Sequence, residues 1–213
     1  MTAGPARPNV RARNRTGPLA GPAAANLGLT VEHNMTDFKG MLGGVQSHRD
    51  DITIGGVGWS AERAAKGLFT DPVYYSPPAM AVVGDKSYKT VDDLKGRKVG
   101  TVTGYVWEKS IKAVDGVEAK VYQDAATFFN DLGTGRIDVG FIDPLLVTYQ
   151  AQQKPDTKFR LVYFTPPTDA QIAAKPEFKD FRQIQIAFCR PAPYLTKLRQ
   201  GVDRPADWTP PTI

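Results

Sequence analysis

Between residues 90 and 164, helix-like and strand-like segments alternate without a break, and few folds accept that order. Residues 90–94 read as a short helix, 98–103 as a strand, 106–114 as a helix and 119–122 as a strand. The pattern continues with a helix over 125–132 closed by Gly133, a strand over 137–142, a helix over 144–152 and a strand over 159–164. Strands joined in this way run parallel and are linked by right-handed crossovers. The series therefore predicts an α/β architecture, with a mostly parallel sheet covered by helices on both faces.

Upstream, Leu27, Leu29 and Val31 alternate as in a strand over 27–33. Residues 37–46 place Phe38, Met41, Leu42 and Val45 on one helical face. A strand over 52–56, a short helix over 60–66 and an apolar strand over 80–83 follow, the last bounded by Pro77-Pro78 and Gly84-Asp85. Near the other end, Ile184, Ile186 and Phe188 mark a strand over 183–188, and 194–200 reads as a short helix. Residues 205–213 hold three prolines and read as coil.

Residues 1–26 read as an unstructured basic leader, with prolines at 5, 8, 18 and 22 and arginines at 7, 11, 13 and 15 ahead of the first acidic residue, Glu32. This segment carries most of the +5 net charge. A nucleic-acid-binding surface would carry its charge on a folded face with interleaved aromatic residues, so no nucleic-acid partner is expected. The leader holds no continuous apolar core of the secretory type, and nowhere does an apolar run reach the roughly 18 residues a spanning helix needs.

The chemistry concentrates in residues 51–71. Ile52 and Ile54 form a short strand, glycines follow at 55, 56 and 58, Ser60 is placed to cap a helix, and Arg63 lies in its first turn. Glycines such as Gly56 and Gly58 let backbone approach a ligand, a helix start offers unpaired N–H groups, and a guanidinium grips a carboxylate through two parallel hydrogen bonds. The combination describes a pocket for a small anion. A solvated arginine offset by Glu62 is the plainer alternative. A second cluster, Thr103-Gly104-Tyr105, joins a strand end to a helix start, where N–H groups favour an anion. Asp143 closes a strand ahead of Pro144, a position that capping alone also explains.

Nothing catalytic stands out. There is no Gly-x-Ser-x-Gly elbow and no Gly-Lys-Ser/Thr phosphate loop. Cys189 is the sole cysteine and His33 and His48 stand far apart, so neither a disulfide, a metal site nor a cofactor is expected.

Four segments in order carry a resemblance: the glycine-serine-arginine stretch, Phe69-Thr70-Asp71-Pro72-Val73-Tyr74-Tyr75, Asp93-Leu94-Lys95-Gly96-Arg97-Lys98-Val99-Gly100 with Thr103-Gly104, and Gly135-Arg136-Ile137-Asp138-Val139-Gly140-Phe141-Ile142-Asp143. Over roughly residues 27–190 the chain resembles the bacterial extracytoplasmic solute-binding proteins of the amino-acid type, the receptors of ABC importers. The resemblance implies a two-lobed, periplasmic-binding-protein-like (type II) fold with a two-strand hinge near 80–85 and 183–188. Lobe 1 would take 27–83 and the returning 187–213, lobe 2 would take 84–186, and the ligand would sit in the cleft.

It further implies that Arg63 holds an α-carboxylate, aided by Gly56, Gly58 and Ser60. Thr103, Gly104 and Tyr105 would cap that carboxylate from lobe 2, Tyr105 standing where threonine is usual, and Asp143 would hold the α-ammonium. The implied protein is a non-enzymatic periplasmic receptor for an amino acid or similar zwitterion, with a membrane permease as partner. Two alternatives share the fold: a cyclohexadienyl or arogenate dehydratase, which would need an acidic group over the cleft, and a ligand-sensing module. Both ends depart from the family pattern. No segment before residue 26 reads as the family's opening strand, and 205–213 cannot form a terminal helix, so an incomplete first lobe is expected.

Overall fold

The computed structural model describes residues 9–13, 30–53 and 55–190. The chain forms two compact units, one built from Met1–Tyr74 with Ile186–Ile213 and the other from Tyr75–Gln185.

In the first unit, β1 (Asn9–Arg13) lies between β2 (Thr30–Asn34) and β3 (Ile52–Thr53) and runs parallel to both. This corrects the reading of residues 1–26 as an unstructured leader, and with it the expectation of a first lobe lacking its central strand. The segment alternates Asn9, Arg11 and Arg13 with Val10 and Ala12, a period-2 pattern whose small apolar members give little hydrophobic signal. A strand paired on both sides satisfies its backbone groups through the ladder, which composition does not reveal. The remainder of that leader, and the helix expected over 194–200, lie outside the described residues.

Helix α1 (Phe38–Gln46) starts at Asp37, whose carboxylate accepts from the Gly40 N–H at 2.6 Å. Met41 and Val45, one turn apart, are buried with Val57 and Cys189, and Phe38, Leu42 and Phe69 pack against them. After β4 (Val57–Gly58), the four-residue helix α2 (Ala61–Ala64) and β5 (Leu68–Phe69), the chain leaves this unit through β6 (Tyr74–Ser76). It returns through β12 (Ile184–Ala187) and β13 (Cys189–Arg190). The return is fixed by side chains as well as by pairing: Thr70 Oγ1 accepts from the Phe188 N–H at 3.1 Å, and Thr53 Oγ1 accepts from the Cys189 N–H at 2.8 Å.

The second unit contains β7 (Ala79–Val83), β8 (Lys98–Val102), α3 (Trp107–Lys112), β9 (Glu118–Tyr122), α4 (Ala125–Gly133), β10 (Val139–Phe141), α5 (Pro144–Gln153), β11 (Phe159–Tyr163) and α6 (Asp169–Ala174). Its five-stranded sheet has the order β11-β7-β10-β8-β9. β8 is parallel to β9 and β10, and β7 is antiparallel to β10 and β11. Four strands therefore share one direction and β7 alone is reversed. No crossover helix precedes β7 within the unit, so the rule that aligns the others does not act on it. β7 is wholly a member of this sheet, and the first passage between units lies ahead of it, inside β6.

Two glycines shape the core. Gly100 and Gly140 are register partners on β8 and β10. A Cβ at Gly140 would fall onto the Phe128 ring, and one at Gly100 would lie 2.5 Å from Ile137 Cδ1. The bare backbone thus makes a slot that Phe128 of α4 fills at 0% exposure, in edge contact with Tyr122 and Phe129. On the other side of the sheet's aromatic run, Phe141 meets Trp107, Phe164 and Phe181. Phe181 ends a 3-10 helix (Pro176–Phe181) that, like α6, has no counterpart in the sequence-based pattern.

Candidate functional site

The residues singled out by sequence fall into one cluster in each unit. In the first, β3 leads into the glycine segment at its carboxyl end, beside the carboxyl end of β1 through the Arg13–Thr53 register. Gly56 is a packing glycine: a Cβ there would lie 2.6 Å from Ile186 Cγ2 and 3.1 Å from the Tyr74 hydroxyl. Gly58 is buried on β4, where it pairs with Ile186. Ser60 caps α2, its hydroxyl accepting from the Arg63 N–H at 3.2 Å. The Arg63 side chain folds back so that Nη1 donates to the Gly58 carbonyl at 2.6 Å, and its Cζ stands 5.6 Å from the centre of the Phe38 ring. The guanidinium is thereby directed by a carbonyl at one corner and an aromatic ring along one face, while the residue as a whole is half-buried.

In the second unit, the topology itself marks a site. From β8 the chain crosses by α3 to β9 on one side. From β10 it crosses by α5 to β11 on the other. The neighbours β8 and β10 therefore form a switch point, and ligands of open α/β sheets bind outside the carboxyl ends of such strands. The register Thr101–Phe141 sets Thr103 level with Asp143, two residues beyond each strand's matched pair. Thr101 Oγ1 locks that register by donating to the Phe141 carbonyl at 2.8 Å. Two of the predicted site segments, Thr103-Gly104-Tyr105 and Asp143, are thus brought to adjacent strand ends.

Their local bonding is specific. Thr103 directs both its N–H and its hydroxyl to the Tyr122 carbonyl, at 2.8 and 3.0 Å. Gly104 has φ +82°, a left-handed conformation that disfavours any side chain. Its N–H donates to Glu108 Oε2 at 3.3 Å, and Lys112 Nζ donates to Glu108 Oε1 at 2.7 Å. The Lys112 hydrogen bond, with help from the Gly104 N–H and against the cost of burial, holds the Glu108 carboxyl below its ordinary range. Tyr105 turns its ring toward Trp107, centroids 6.1 Å apart. Asp143 caps α5, its Oδ1 accepting from the Leu145 N–H at 2.8 Å.

Glu108 and Phe38 were not legible as site residues, because each acts through a fold-dependent contact. The i, i+4 spacing of Gly104 and Glu108 was the one available signal. Asp138, by contrast, is structural: burial pushes its carboxyl up, but the Lys86 ammonium at 2.8 Å and the Lys98 N–H outweigh that and hold it low. Among the described residues no cluster of three or more His, Cys, Asp or Glu is placed to hold a metal, and no helix is long and apolar enough to cross a membrane.

The chain is 36% identical over 137 residues to the L-cystine-binding protein TcyJ of Escherichia coli K12, covering 63% of this chain and 52% of that protein. It is 31% identical over 150 residues to ABC transporter arginine-binding protein 1 of the same organism, covering 67% and 60% respectively. It thus spans little more than half the length of the first of these relatives. Among solved structures, an ancestral arginine-binding protein bound to arginine matches with a TM-score of 0.76 and 24% identity, over 92% of this chain and 91% of that one, which shows the shared fold. An amino acid substrate-binding protein from Streptococcus pneumoniae bound to L-arginine matches with a TM-score of 0.75 and 19% identity, over 92% and 86%. The fold is that of the periplasmic amino-acid-binding proteins. Residues 19–179, a span that takes in Arg63, Gly104 and Asp143, match one family model, and the chain belongs to the bacterial extracellular solute-binding proteins, family 3.

Proposed function

We propose that this protein is the substrate-binding component of an ABC importer, an extracytoplasmic receptor that captures an amino acid or similar small zwitterion and presents it to a membrane permease. The observation that carries the reading is the β8–β10 switch point, where Thr103-Gly104-Tyr105 and Asp143 stand at neighbouring strand ends in a chain of a solute-binding family. A carboxylate on Asp143 suits an ammonium group. A guanidinium on Arg63 suits a carboxylate, and it is already oriented by Gly58 and Phe38. Arginine, cystine and histidine are the ligands named for relatives, and they make a sensible first panel.

The role is binding rather than catalysis. The polar groups of both clusters serve capping and orientation, and the dehydratase alternative would require turnover of prephenate or arogenate. Calorimetry with L-arginine, L-cystine, L-histidine and L-glutamine tests the reading directly, with Arg63→Ala as the control. Truncating one member of a desolvated charge pair costs about 2–5 kcal/mol, so the variant loses roughly 30-fold or more in affinity. Absence of binding by the wild type across a full amino-acid panel, or equal binding by the variant, contradicts it. Product formation from prephenate would move the protein to the enzymatic class.

A further inference from the structure

Helix α5 (Pro144–Gln153) is the longest described helix and carries no charged residue, whereas every other described helix carries at least one. A surface helix normally turns charged or polar side chains to water. α5 does the reverse on much of its outer face. Val147 is buried in one cluster with Phe128, Phe129 and Phe159. Leu145 and Tyr149 lie two residues to either side of it, and at about 100° per residue each points nearly opposite to Val147. Both are more than half exposed, and Leu146, three residues before Tyr149, is 37% exposed.

The adjoining strand adds to this face. Tyr163 ends β11 and is also more than half exposed. β10 and β11 are both antiparallel to β7, so Tyr163 stands at the end of the sheet where α5 begins. Phe159 and Leu161, on the same side of the strand as Tyr163, pack into the Val147 cluster, which puts Tyr163 on the α5 side of the sheet. The one charged residue of β11, Arg160, is engaged with the Gly84 and Lys86 carbonyls.

Four large apolar residues therefore meet water on an uncharged face that flanks the β8–β10 switch point on the β11 side. Together they expose roughly 400–500 Å², within the size range of the largest patch on a typical monomer, which is often functional. Stable pairing of two copies needs about 800 Å² from each, so this face is too small to hold a permanent dimer. A membrane surface is recruited by apolar residues beside a Lys- and Arg-rich face, and α5 has no Lys or Arg. The features left, aromatic and leucine anchors without charge over a modest area, suit a partner that is bound and released repeatedly.

We propose that the outer face of α5 with Tyr163 is where the importer's permease docks, through an uncharged, apolar surface on its extracytoplasmic side. This rests on the proposed function and deepens it, since a receptor that delivers its ligand must leave the permease after each delivery.

The test uses the full chain. Benzoylphenylalanine placed at position 149 in the native host and activated by light should cross-link to an integral-membrane subunit of an ABC importer, identified by mass spectrometry. With that permease and its ATPase in lipid nanodiscs, the double variant Tyr149→Gln, Tyr163→Gln should bind roughly 10-fold or more weakly than the wild type. Tyr149→Phe should stay within about 3-fold, because the apolar ring is kept. The loss should be equal at about 0.05 M and about 0.5 M salt, since the face has no charge to screen. Calorimetry with L-arginine, L-cystine, L-histidine and L-glutamine should give the double variant wild-type affinities, and its thermal midpoint should be unchanged.

A cross-link to a second copy of this chain, to lipid or to nothing overturns the inference, as does wild-type binding of the nanodiscs by the double variant. A loss matched by a lowered midpoint or by weaker amino-acid binding also overturns it, because the face then serves the receptor's own structure. A wild type that binds no amino acid refutes the proposed function. A wild type that binds an amino acid but does not cross-link to a membrane subunit refutes only the docking face, so the two failures are told apart.

Discussion

Replacing Gly140 by alanine should damage the second unit far more than the addition of one methyl group would on a surface. The new Cβ would overlap the Phe128 ring at its Cζ and approach Cε2 at 2.9 Å. That ring has nowhere to go. It is 0% exposed, meets Tyr122 edge-on at 5.8 Å and Phe129 at 5.2 Å, and sits on the same slot that Gly100 lines from the adjacent strand. Overpacking a closed core costs about 1–3 kcal/mol. For a chain of this size, each kcal/mol lowers the midpoint by about 2–4 °C, so a fall of roughly 2–12 °C is expected.

Trp107, buried beside Phe141, reports on this unit, and replacing Trp59 and Trp208 by phenylalanine makes it the sole tryptophan. Urea unfolding followed by its fluorescence gives the free energy directly, with an unchanged slope expected. Phe128→Leu vacates part of the slot, so the double variant Gly140→Ala, Phe128→Leu should be more stable than the sum of the singles predicts, by about 1 kcal/mol or more. A wild-type midpoint for Gly140→Ala, or strict additivity in the double variant, would refute the steric account.

Three further outcomes follow from the same geometry. The Glu108 carboxyl lies below its ordinary value of 4.5 in the folded chain, so its pairing contributes stability at neutral pH that is lost as pH falls through the folded value. Glu108→Gln should therefore flatten the acid limb of a stability-versus-pH curve while leaving its alkaline side unchanged. Asp143→Ser keeps a capping oxygen and Asp143→Ala removes it. Only the alanine variant should lose the 0.5–2 kcal/mol typical of a cap, about 1 kcal/mol here, whereas both should weaken amino-acid binding in calorimetry. Binding retained by Asp143→Ser would reduce this aspartate to a cap. Gly104→Ala, forced to φ +82°, should cost about 1–2 kcal/mol in urea unfolding, and a neutral result would mean that the turn relaxes.

The alternation over residues 90–164 carried most of the second unit, because strands buried under helices leave strong apolar runs and each turn is marked by glycine, proline or aspartate. The reversed direction of β7 was not legible there, since direction depends on pairing partners rather than on local pattern. α6 and the 3-10 helix were missed for another reason. Pro166, Pro167 and Pro176 read as punctuation, although Thr168 and Gln171 form a capping box that announces a helix start. β1 was missed because Asn9, Arg11 and Arg13 obscure a ladder formed with partners more than a dozen residues away. At the candidate site, Ser60 and Asp143 were readable as caps from residue type and spacing. Arg63 stood out by residue type and its place in the first turn of a capped helix, and its role in binding belongs to the proposal. The hold of Phe38 on that arginine, and of Glu108 on Gly104, depends on distances that only the folded chain sets.

The second unit is one uninterrupted stretch, Tyr75–Gln185, whereas the first is assembled from segments on either side of it. All the strands of the five-stranded sheet lie inside that stretch, so it can complete its sheet without any residue of its host. In the host, by contrast, β4 and β5 gain their partners only when β12 and β13 arrive, and that return is then held by Thr53 and Thr70 and sealed around Cys189. A denatured chain returned to native conditions should thus gain protease resistance in the uninterrupted unit first, and in the one assembled around it afterwards.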